Sequence, residues 1–146
     1  RLQDMALGSL LHDAGKSKID ERILHKNGAL TAKEWDDIRR HPEYGVTMLQ
    51  SSGLGLVPRE IVLHHHERFD GSGYPHKLTS NQIIEEVKIA AFADVFDALT
   101  TNRPYQVTRS RFEALALIRD KLLPNVHQES YNAMVDLLAG KQRKFA

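Results

Sequence analysis

Cysteine is absent from the sequence, and no apolar run approaches the ~20 residues that a membrane-spanning helix needs. Without thiols, disulfide bonds and thiolate zinc sites are excluded, and we expect a reducing, cytoplasmic environment. A metal site in this chain must therefore use nitrogen and oxygen ligands. Because the first residues do not resemble a signal peptide either, we expect no membrane contact by this segment.

An excess of charge of one sign is missing too. The 146 residues carry 20 Lys and Arg against 19 Asp and Glu, a formal net charge of +1. This small charge creates no general attraction for polyanions, so we expect no DNA binding. The basic tail KQRK at 141–144 is interpreted as a solvated terminus, with a nucleic-acid patch as the less favoured alternative. The length and a hydrophobic content of 41% predict one compact domain.

Apolar residues recur at helical spacing, and no alternating strand pattern or internal repeat interrupts them. Thr31 with Glu34, and Ser110 with Glu113, have the spacing of capping boxes that begin helices. The chain is therefore predicted to be all-α, a single bundle of about seven helices. The expected helices stop near Gly15, follow Asp20, run from Thr31 to the break at Pro42, run on from Pro42, run from Pro58 through His66, and cover about Glu86–Thr101, 110–124 and 128–139.

The stretch LHHHERFDGSGYP at 63–75 places three histidines at a predicted helix end, directly before a loop with two glycines. Residues four apart share a helix face, so His65 and His66 are expected to point inward with the apolar pair one turn earlier. His64 is expected at the surface. A buried imidazole needs partners for both ring nitrogens. A backbone carbonyl can serve one such histidine, whereas a divalent cation can serve several at once.

Other candidate ligands stand at helix boundaries. His12 and Asp13 close an apolar helix, where an aspartate faces the negative end of the helix dipole and needs a cation nearby. A histidine alone at that position is also explained by the dipole. His41 stands in the break before Pro42 and is either a ligand or an ordinary loop histidine.

Asp94 and Asp97 are three residues apart on one face of the helix richest in small residues. Two carboxylates on a buried face repel each other unless a cation lies near them, which favours Asp94 as a ligand. Asp97 either binds the metal or pairs with a lysine or arginine. Lys16 can meet a phosphate oxygen, balance Asp97 or lie on the surface.

Together, four histidines and two carboxylates suit two borderline-hard metal ions, iron or manganese, with zinc, nickel or cobalt as alternatives. The candidate ligands are His12, Asp13, His41, His65, His66 and Asp94. A pair of metals with a bridging hydroxide is the standard arrangement for attack on a phosphodiester.

Four motifs closely resemble the HD-GYP family, a branch of the HD phosphohydrolase superfamily, in order and spacing. They are HDAGK at 12–16, RHPEYG at 40–45, HHERFDGSGYP at 65–75 and ADVFDALTTNRPY at 93–105. The resemblance covers about residues 6–123. It implies an all-helical fold, a site for two or three divalent metal ions, and hydrolysis of the bacterial messenger cyclic di-GMP to the linear dinucleotide or to GMP.

Motif by motif, the resemblance implies the same six metal ligands, with Asp13 bridging the metals. Catalytic roles are implied for Asp13, Lys16 and Asp97, the last as an acid that supports the site. Substrate contacts are implied for Lys16, Arg103 and the loop residues Gly73, Tyr74 and Pro75. The loop borders the active site in the family and is linked to contacts with partner domains.

Residues 1–146 are thus expected to form an HD-GYP catalytic domain that lacks its N-terminal helix or helices. In the family, a further histidine, and in three-metal members a glutamate, come from a helix upstream of HD. Gln106 follows RPY where the family often has a basic residue, so weaker phosphate binding or a shifted nucleotide preference is expected.

The partners that the resemblance implies are a cyclic dinucleotide substrate, a cyclic di-GMP synthase (GGDEF) or adaptor domain, and an upstream sensor or receiver domain, as in a two-component system. Two alternatives to hydrolysis of cyclic di-GMP stay open. The domain could be a weak or inactive adaptor that docks partner domains through the GYP loop, or it could hydrolyse another nucleotide.

Overall fold

The computed structural model of the chain describes residues 1–102 and 108–141, so the predictions for Arg103, Gln106 and most of the basic tail lie outside it. Eight α-helices form in the described residues: α1 (Leu2–Leu11), α2 (Glu21–Leu24), α3 (Ala32–Ile38), α4 (His41–Met48), α5 (Leu56–His64), α6 (Glu85–Thr100), α7 (Arg111–Leu117) and α8 (Gln128–Leu138). No strand forms in these two ranges, and the all-α prediction is confirmed. The total is one above the predicted number of about seven, and the short α2, of 4 residues, is the helix expected after Asp20.

Capping fixes the start of several helices. Thr31 accepts a hydrogen bond from the Glu34 backbone N–H at 3.3 Å, and the Glu34 carboxylate accepts one from the Thr31 N–H at 2.7 Å. Ser110 and Glu113 form the same reciprocal pair at the start of α7. Both predicted capping boxes are confirmed, as is the cap that Asp20 provides for α2.

Several helix ends differ from the expectation. The fifth helix stops at His64, so His65 and His66 lie in the turn that follows rather than on a helix face. The segment after α7 does not continue as an α-helix to Pro124, because a π-helix (Ile118–Leu122) and a 3₁₀ helix (Leu123–Asn125) replace it. Two further 3₁₀ helices are Ala14–Lys18 and Ser80–Gln82.

Gly15 lies inside the first of these 3₁₀ helices instead of ending α1. A Cβ atom at this position would lie 1.9 Å from the carbonyl oxygen of His41. Only glycine therefore allows the segment after the HD pair to pack directly on α4. This close approach brings Asp13 next to His41.

Two apolar clusters share the long helix α6. The first, between α5 and α6, is formed by Ile61, Ile83, Val87 and Ala90. The second joins α6 to the C-terminal helices through Phe92, Leu115, Ile118 and Val126. Each fully buried aliphatic side chain contributes ~1.5–3 kcal/mol, so the two clusters hold α6 in place along its length. No helix in the described part of the chain is long and apolar enough to cross a bilayer.

Candidate active site

The predicted ligands come from the end of α1, the start of α4, the turn after α5 and the middle of α6, and they meet in one place. Donor atoms of Asp13, His41, His65 and His66 all lie within 4.8 Å of one another. His12 Nε2 lies 3.3 Å from Asp13 Oδ2 and 3.7 Å from Asp94 Oδ1. The structure thus brings together all six residues that the sequence singled out.

Backbone contacts decide which ring nitrogens of His41 and His65 carry protons. His41 Nδ1 lies 2.8 Å from the Ile38 carbonyl oxygen, and His65 Nδ1 lies 3.1 Å from those of Ile61 and Val62. A carbonyl oxygen only accepts, so Nδ1 donates in both rings and both Nε2 atoms are left with lone pairs.

These two Nε2 atoms nevertheless face each other at 3.3 Å. The same His41 Nε2 lies 3.4 Å from Asp13 Oδ1, and His65 Nε2 lies 4.0 Å from it. Asp13 Oδ1 is a buried atom with no hydrogen-bond partner in the described residues. Lone pairs of two imidazoles and one carboxylate therefore converge without a proton between them, which is unfavourable unless a cation binds there.

His12 directs its Nε2 at the same carboxylate, but as a hydrogen-bond partner of Asp13. Its Nδ1 donates to the Ser9 carbonyl oxygen at 2.6 Å, which directs Nε2 toward Asp13 and Asp94. The donor set of imidazole nitrogens and carboxylate oxygens suits a divalent transition metal. The residues present therefore fit a metal site by their chemistry and by their unsatisfied atoms.

The protonation equilibria agree with this arrangement. Burial lowers the pKa of His41, lowers that of His65 to about 3, and lowers that of His66 to about 2. The hydrogen bond with Asp13 raises the pKa of His12. Burial alone would raise the pKa of Asp13, but hydrogen bonds from His12 and Lys16 outweigh it and hold that pKa well below its usual range. His41, His65 and His66 are therefore already in the ligand form, as neutral imidazoles beside an ionised Asp13, whereas the hydrogen bond with Asp13 favours the protonated form of His12.

Lys16 and Asp97 take positions that differ from part of the expectation. Lys16 Nζ donates to Asp13 Oδ2 at 2.6 Å, so the lysine balances Asp13 and not Asp97. Asp97 is exposed rather than on a buried face, and its Oδ1 accepts from the Thr101 hydroxyl at 2.9 Å. The expectation of two buried carboxylates on α6 is wrong, because Asp94 is half-buried and Asp97 exposed where both line a cavity beside His12 and His65.

The prediction that His64 lies at the surface is also wrong, since only 7% of it is exposed. Its Nδ1 lies 3.0 Å from Glu60 Oε2, and its Nε2 lies 2.9 Å from His76 Nδ1. The loop after α5 folds back and places His76 over it. A contact between residues twelve apart through a loop leaves no trace in helical spacing.

Glu67 is a residue of the site region whose role the sequence reasoning missed. It is 3% exposed, and its carboxylate accepts hydrogen bonds from the backbone N–H groups of His76 at 2.7 Å and Leu78 at 2.9 Å. Gly73 packs so tightly on this segment that a Cβ atom would lie 2.5 Å from Glu67 Cα. The signal available was an acid placed directly between the histidines and the glycine loop.

The GYP loop is thereby held against the metal cluster. The Tyr74 ring stacks on His66 with ring centroids 4.7 Å apart, and burial raises the pKa of its phenol. Beside this stack lies an open cleft, which we call the catalytic lobe. Polar residues that line it are Asp13, Lys16, His66, Arg68 and Asp94. Of the predicted loop contacts, Tyr74 touches the cluster through His66, Gly73 packs against Glu67, and Pro75 is half-buried.

The sequence is similar to a family of metal-dependent HD domains and to curated phosphodiesterases. A model of the HD domain family matches residues 1–123. The sequence is 49% identical over 100 residues to the 3'3'-cGAMP-specific phosphodiesterase 2 of Vibrio cholerae, across 67% of this chain and 19% of that protein. It is 42% identical over 115 residues to a cyclic di-GMP phosphodiesterase of Pseudomonas aeruginosa, across 78% of this chain and 28% of that protein. The chain thus spans less than a third of the length of these relatives.

Among solved structures, Bd1817, an HDG"Y"P protein from Bdellovibrio bacteriovorus, has the same fold, with a TM-score of 0.72. The likeness covers 94% of this chain and 44% of that chain, at 20% sequence identity. Fold, family model and motifs agree. The chain belongs to the HD domain family, and its HD, HHE and GYP motifs place it in the HD-GYP branch.

Proposed function

We propose that this chain is the catalytic domain of a metal-dependent phosphodiesterase that hydrolyses cyclic di-GMP to the linear dinucleotide or to GMP. The observation that carries the proposal is the convergence of unprotonated His41 and His65 Nε2 atoms on the unpartnered Asp13 Oδ1. Relatives named as cyclic di-GMP phosphodiesterases support the choice of substrate.

Two metal ions, iron or manganese, would be held by the six residues of the cluster, with Asp13 shared between them. Its two carboxylate oxygens already face different histidines, Oδ1 toward His41 and Oδ2 toward His12. When bound, such ions supply the Lewis acidity that activates water and stabilises charge on the phosphoryl oxygens. A third ion would need ligands beyond these six.

The remaining residues of the catalytic lobe position the phosphate. Lys16 sits at the rim, 38% exposed, so its ammonium can turn from Asp13 to a phosphate oxygen without crossing the core. Arg68 lines the same lobe and adds a second cation. Both cations oppose the charge that develops on the phosphoryl group during attack. The expected phosphate contact of Arg103 remains a prediction.

A second candidate substrate follows from a specific finding. The relative with 49% identity is named as specific for 3'3'-cGAMP, which differs from cyclic di-GMP in one base. The metal cluster binds the phosphate and makes no contact that would distinguish one base from the other. A choice between these substrates must therefore come from residues outside the metal cluster.

In the full protein we expect an upstream sensor or receiver domain and contacts with a cyclic di-GMP synthase domain. A relative named as a response regulator, from Xanthomonas campestris, supports a link to two-component signalling. The adaptor alternative predicts the same GYP loop but has no use for a ligand set with unsatisfied nitrogens. The described residues therefore favour an enzyme, whose partners act through the loop.

The test uses one protein sample, purified without a chelating resin, for both elemental analysis and turnover of cyclic di-GMP. We expect about two equivalents of bound metal and hydrolysis that a chelator abolishes and added manganese or iron restores. Full activity in a metal-free sample would contradict the enzyme mechanism. Bound metal without turnover of cyclic di-GMP, 3'3'-cGAMP or other nucleotides would favour the adaptor.

A further inference from the structure

A second cleft adjoins the catalytic lobe and is lined mostly by residues outside the predicted metal-ligand set. Trp35, Arg39, Tyr74 and Lys77 line it, and it shares His66 and Arg68 with the catalytic lobe. We call it the aromatic lobe. Its volume of about 510 Å³ lies within the range of small-molecule sites. A ligand cut in the catalytic lobe can therefore extend into it.

A ladder of flat groups runs from the metal cluster into this lobe. Tyr74 stacks on His66, and the Arg39 guanidinium lies 6.0 Å from the ring centroids of both Tyr74 and Trp35. Trp35 is the single tryptophan of the chain and is 47% exposed. Wide aromatic faces of this kind, left open beside cations, are the surfaces on which nucleic-acid bases stack.

Cationic hydrogen-bond donors dominate the polar lining of the aromatic lobe, beside Ser72, Tyr74 and His66, which can both donate and accept. Arg39, Arg68 and Lys77 contribute cations, and no carboxylate or amide side chain lines the lobe. Lys77 also has a backbone φ of 56°. Among the non-glycine residues in the described ranges, it alone has a positive φ. Donors match the O6 and N7 acceptors of guanine, whereas the exocyclic amine of adenine is itself a donor.

We propose that the aromatic lobe binds the guanine of the nucleotide that is not being cleaved. Trp35 provides the stacking face, and Arg39 donates hydrogen bonds to the O6 and N7 edge. Arg68 lines both lobes and stays on the phosphate that is cleaved. The proposal rests on the proposed function, and it assigns base preference to a cleft whose lining includes only His66 from the predicted ligand set.

The first experiment uses metal-free protein, in which cyclic di-GMP binds without turnover. Trp35 is the only tryptophan, so its emission reports on this lobe and on the neighbouring cleft beside Ile23 and Lys26 that it also lines. We expect cyclic di-GMP to quench the emission and to bind at least ~tenfold more tightly than cyclic di-AMP, because arginine discriminates guanine by roughly that factor. Unchanged emission at saturating cyclic di-GMP, or equal affinity for the two dinucleotides, would overturn the proposal.

The second experiment uses variants of the metal-loaded protein. Trp35→Ala is expected to raise KM for cyclic di-GMP by about tenfold with little change in kcat, and Trp35→Phe by less than about threefold, because phenylalanine keeps a stacking face. Arg39→Gln should reduce the ratio between the affinities for cyclic di-GMP and cyclic di-AMP. Arg40→Gln is the matched control, since Arg40 stacks on Tyr44 outside the lobe and should leave KM within about twofold.

The two proposals fail separately. If loaded wild-type protein hydrolyses cyclic di-GMP but Trp35→Ala, Trp35→Phe and Arg39→Gln all keep the wild-type KM, the assignment of the aromatic lobe is wrong and the enzyme stands. If no hydrolysis occurs but cyclic di-GMP still quenches Trp35 selectively, the lobe assignment is supported and the proposed hydrolysis is wrong. Should Trp35→Ala fail to fold, Trp35→Phe and the emission titration still decide.

Discussion

Two pairs of histidines lie side by side in this molecule, and adjacent residues of the same HHH run belong to different pairs. In the first pair, His64 Nε2 and His76 Nδ1 are 2.9 Å apart. In the second pair, His41 Nε2 and His65 Nε2 are 3.3 Å apart. The distances are similar, but the two pairs differ in whether a proton lies between the facing nitrogens. The difference arises because different groups contact the other ring nitrogens.

In the pair of His64 and His76, every contact can be a hydrogen bond. His64 donates through Nδ1 to the Glu60 carboxylate, which leaves Nε2 free to accept from His76. In the pair of His41 and His65, both Nδ1 atoms already donate to carbonyls, so neither Nε2 has a proton to share. The first pair is complete without a ligand, and the second needs a cation.

The largest expected effect separates the two pairs directly. His65→Ala should remove bound metal and reduce hydrolysis of cyclic di-GMP by more than ~100-fold, beyond what substitutions outside the ligand set typically cause. The helical circular dichroism should persist. His64→Gln, at the adjacent position, should keep the metal content. Equal losses of metal in the two variants would remove the distinction between the pairs.

Metal removal tests the cost of the unsatisfied carboxylate. At a free manganese concentration of 100 times Kd, wild-type protein should gain about 2.7 kcal/mol in free energy of unfolding. Asp13→Asn should lose most of this gain. The variant also loses the ion pair with Lys16, so the metal-free variant should be less stable than metal-free wild type. Denaturant unfolding with and without metal measures both quantities, and a large metal-induced gain in the variant would contradict the assignment.

Acid should destabilise the metal-free protein through His65. Its pKa is about 3 in the folded chain against an ordinary value of 6.5, so the unfolded chain binds more protons between these values. Stability should therefore fall as pH falls, by about 2 kcal/mol from pH 6.5 to 5 for this residue alone. Denaturant unfolding across this window should show a shallower slope for His65→Gln. An unchanged slope would mean that His65 is not the group held neutral.

The smallest effects compare the carboxylates that support the two regions. Glu67→Gln should lower the free energy of unfolding by about 1–2 kcal/mol, because the carboxylate accepts two backbone N–H groups while buried. Glu60→Gln should cost less than about 1 kcal/mol, because Glu60 is 29% exposed. Thermal or denaturant unfolding of the two variants checks this order, and a larger cost for Glu60→Gln would contradict it.

Much of the fold could be predicted because local interactions determine it. The capping boxes at Thr31 and Ser110 need only residues three apart, and both form. The burial of His64 could not be predicted in this way, since it depends on His76 reaching back across a loop. The end of α5 at His64 could not be predicted from local spacing either. The Glu67 carboxylate binds backbone N–H groups of the loop, and these contacts lie far along the chain from α5.

The candidate site shows the same division. Each ligand residue stood out in the sequence by chemistry or motif, but their convergence depends on close packing at Gly15 and on carbonyls that orient the rings. The pairing of Lys16 with Asp13 instead of Asp97 follows from the 3₁₀ helix after the HD pair, which spacing alone did not predict. The metal-ligand roles stay predictions until metal is measured.

The most direct test of the central claim is ¹⁵N NMR of the histidine ring nitrogens, recorded in metal-free protein and again after addition of zinc as a redox-inert probe. We expect His41 and His65 both to carry the proton on Nδ1, and zinc to shift their Nε2 signals but not those of His64 and His76. A proton on Nε2 of His41 or His65 at neutral pH, or zinc-induced shifts at His64 and His76 alone, would contradict it.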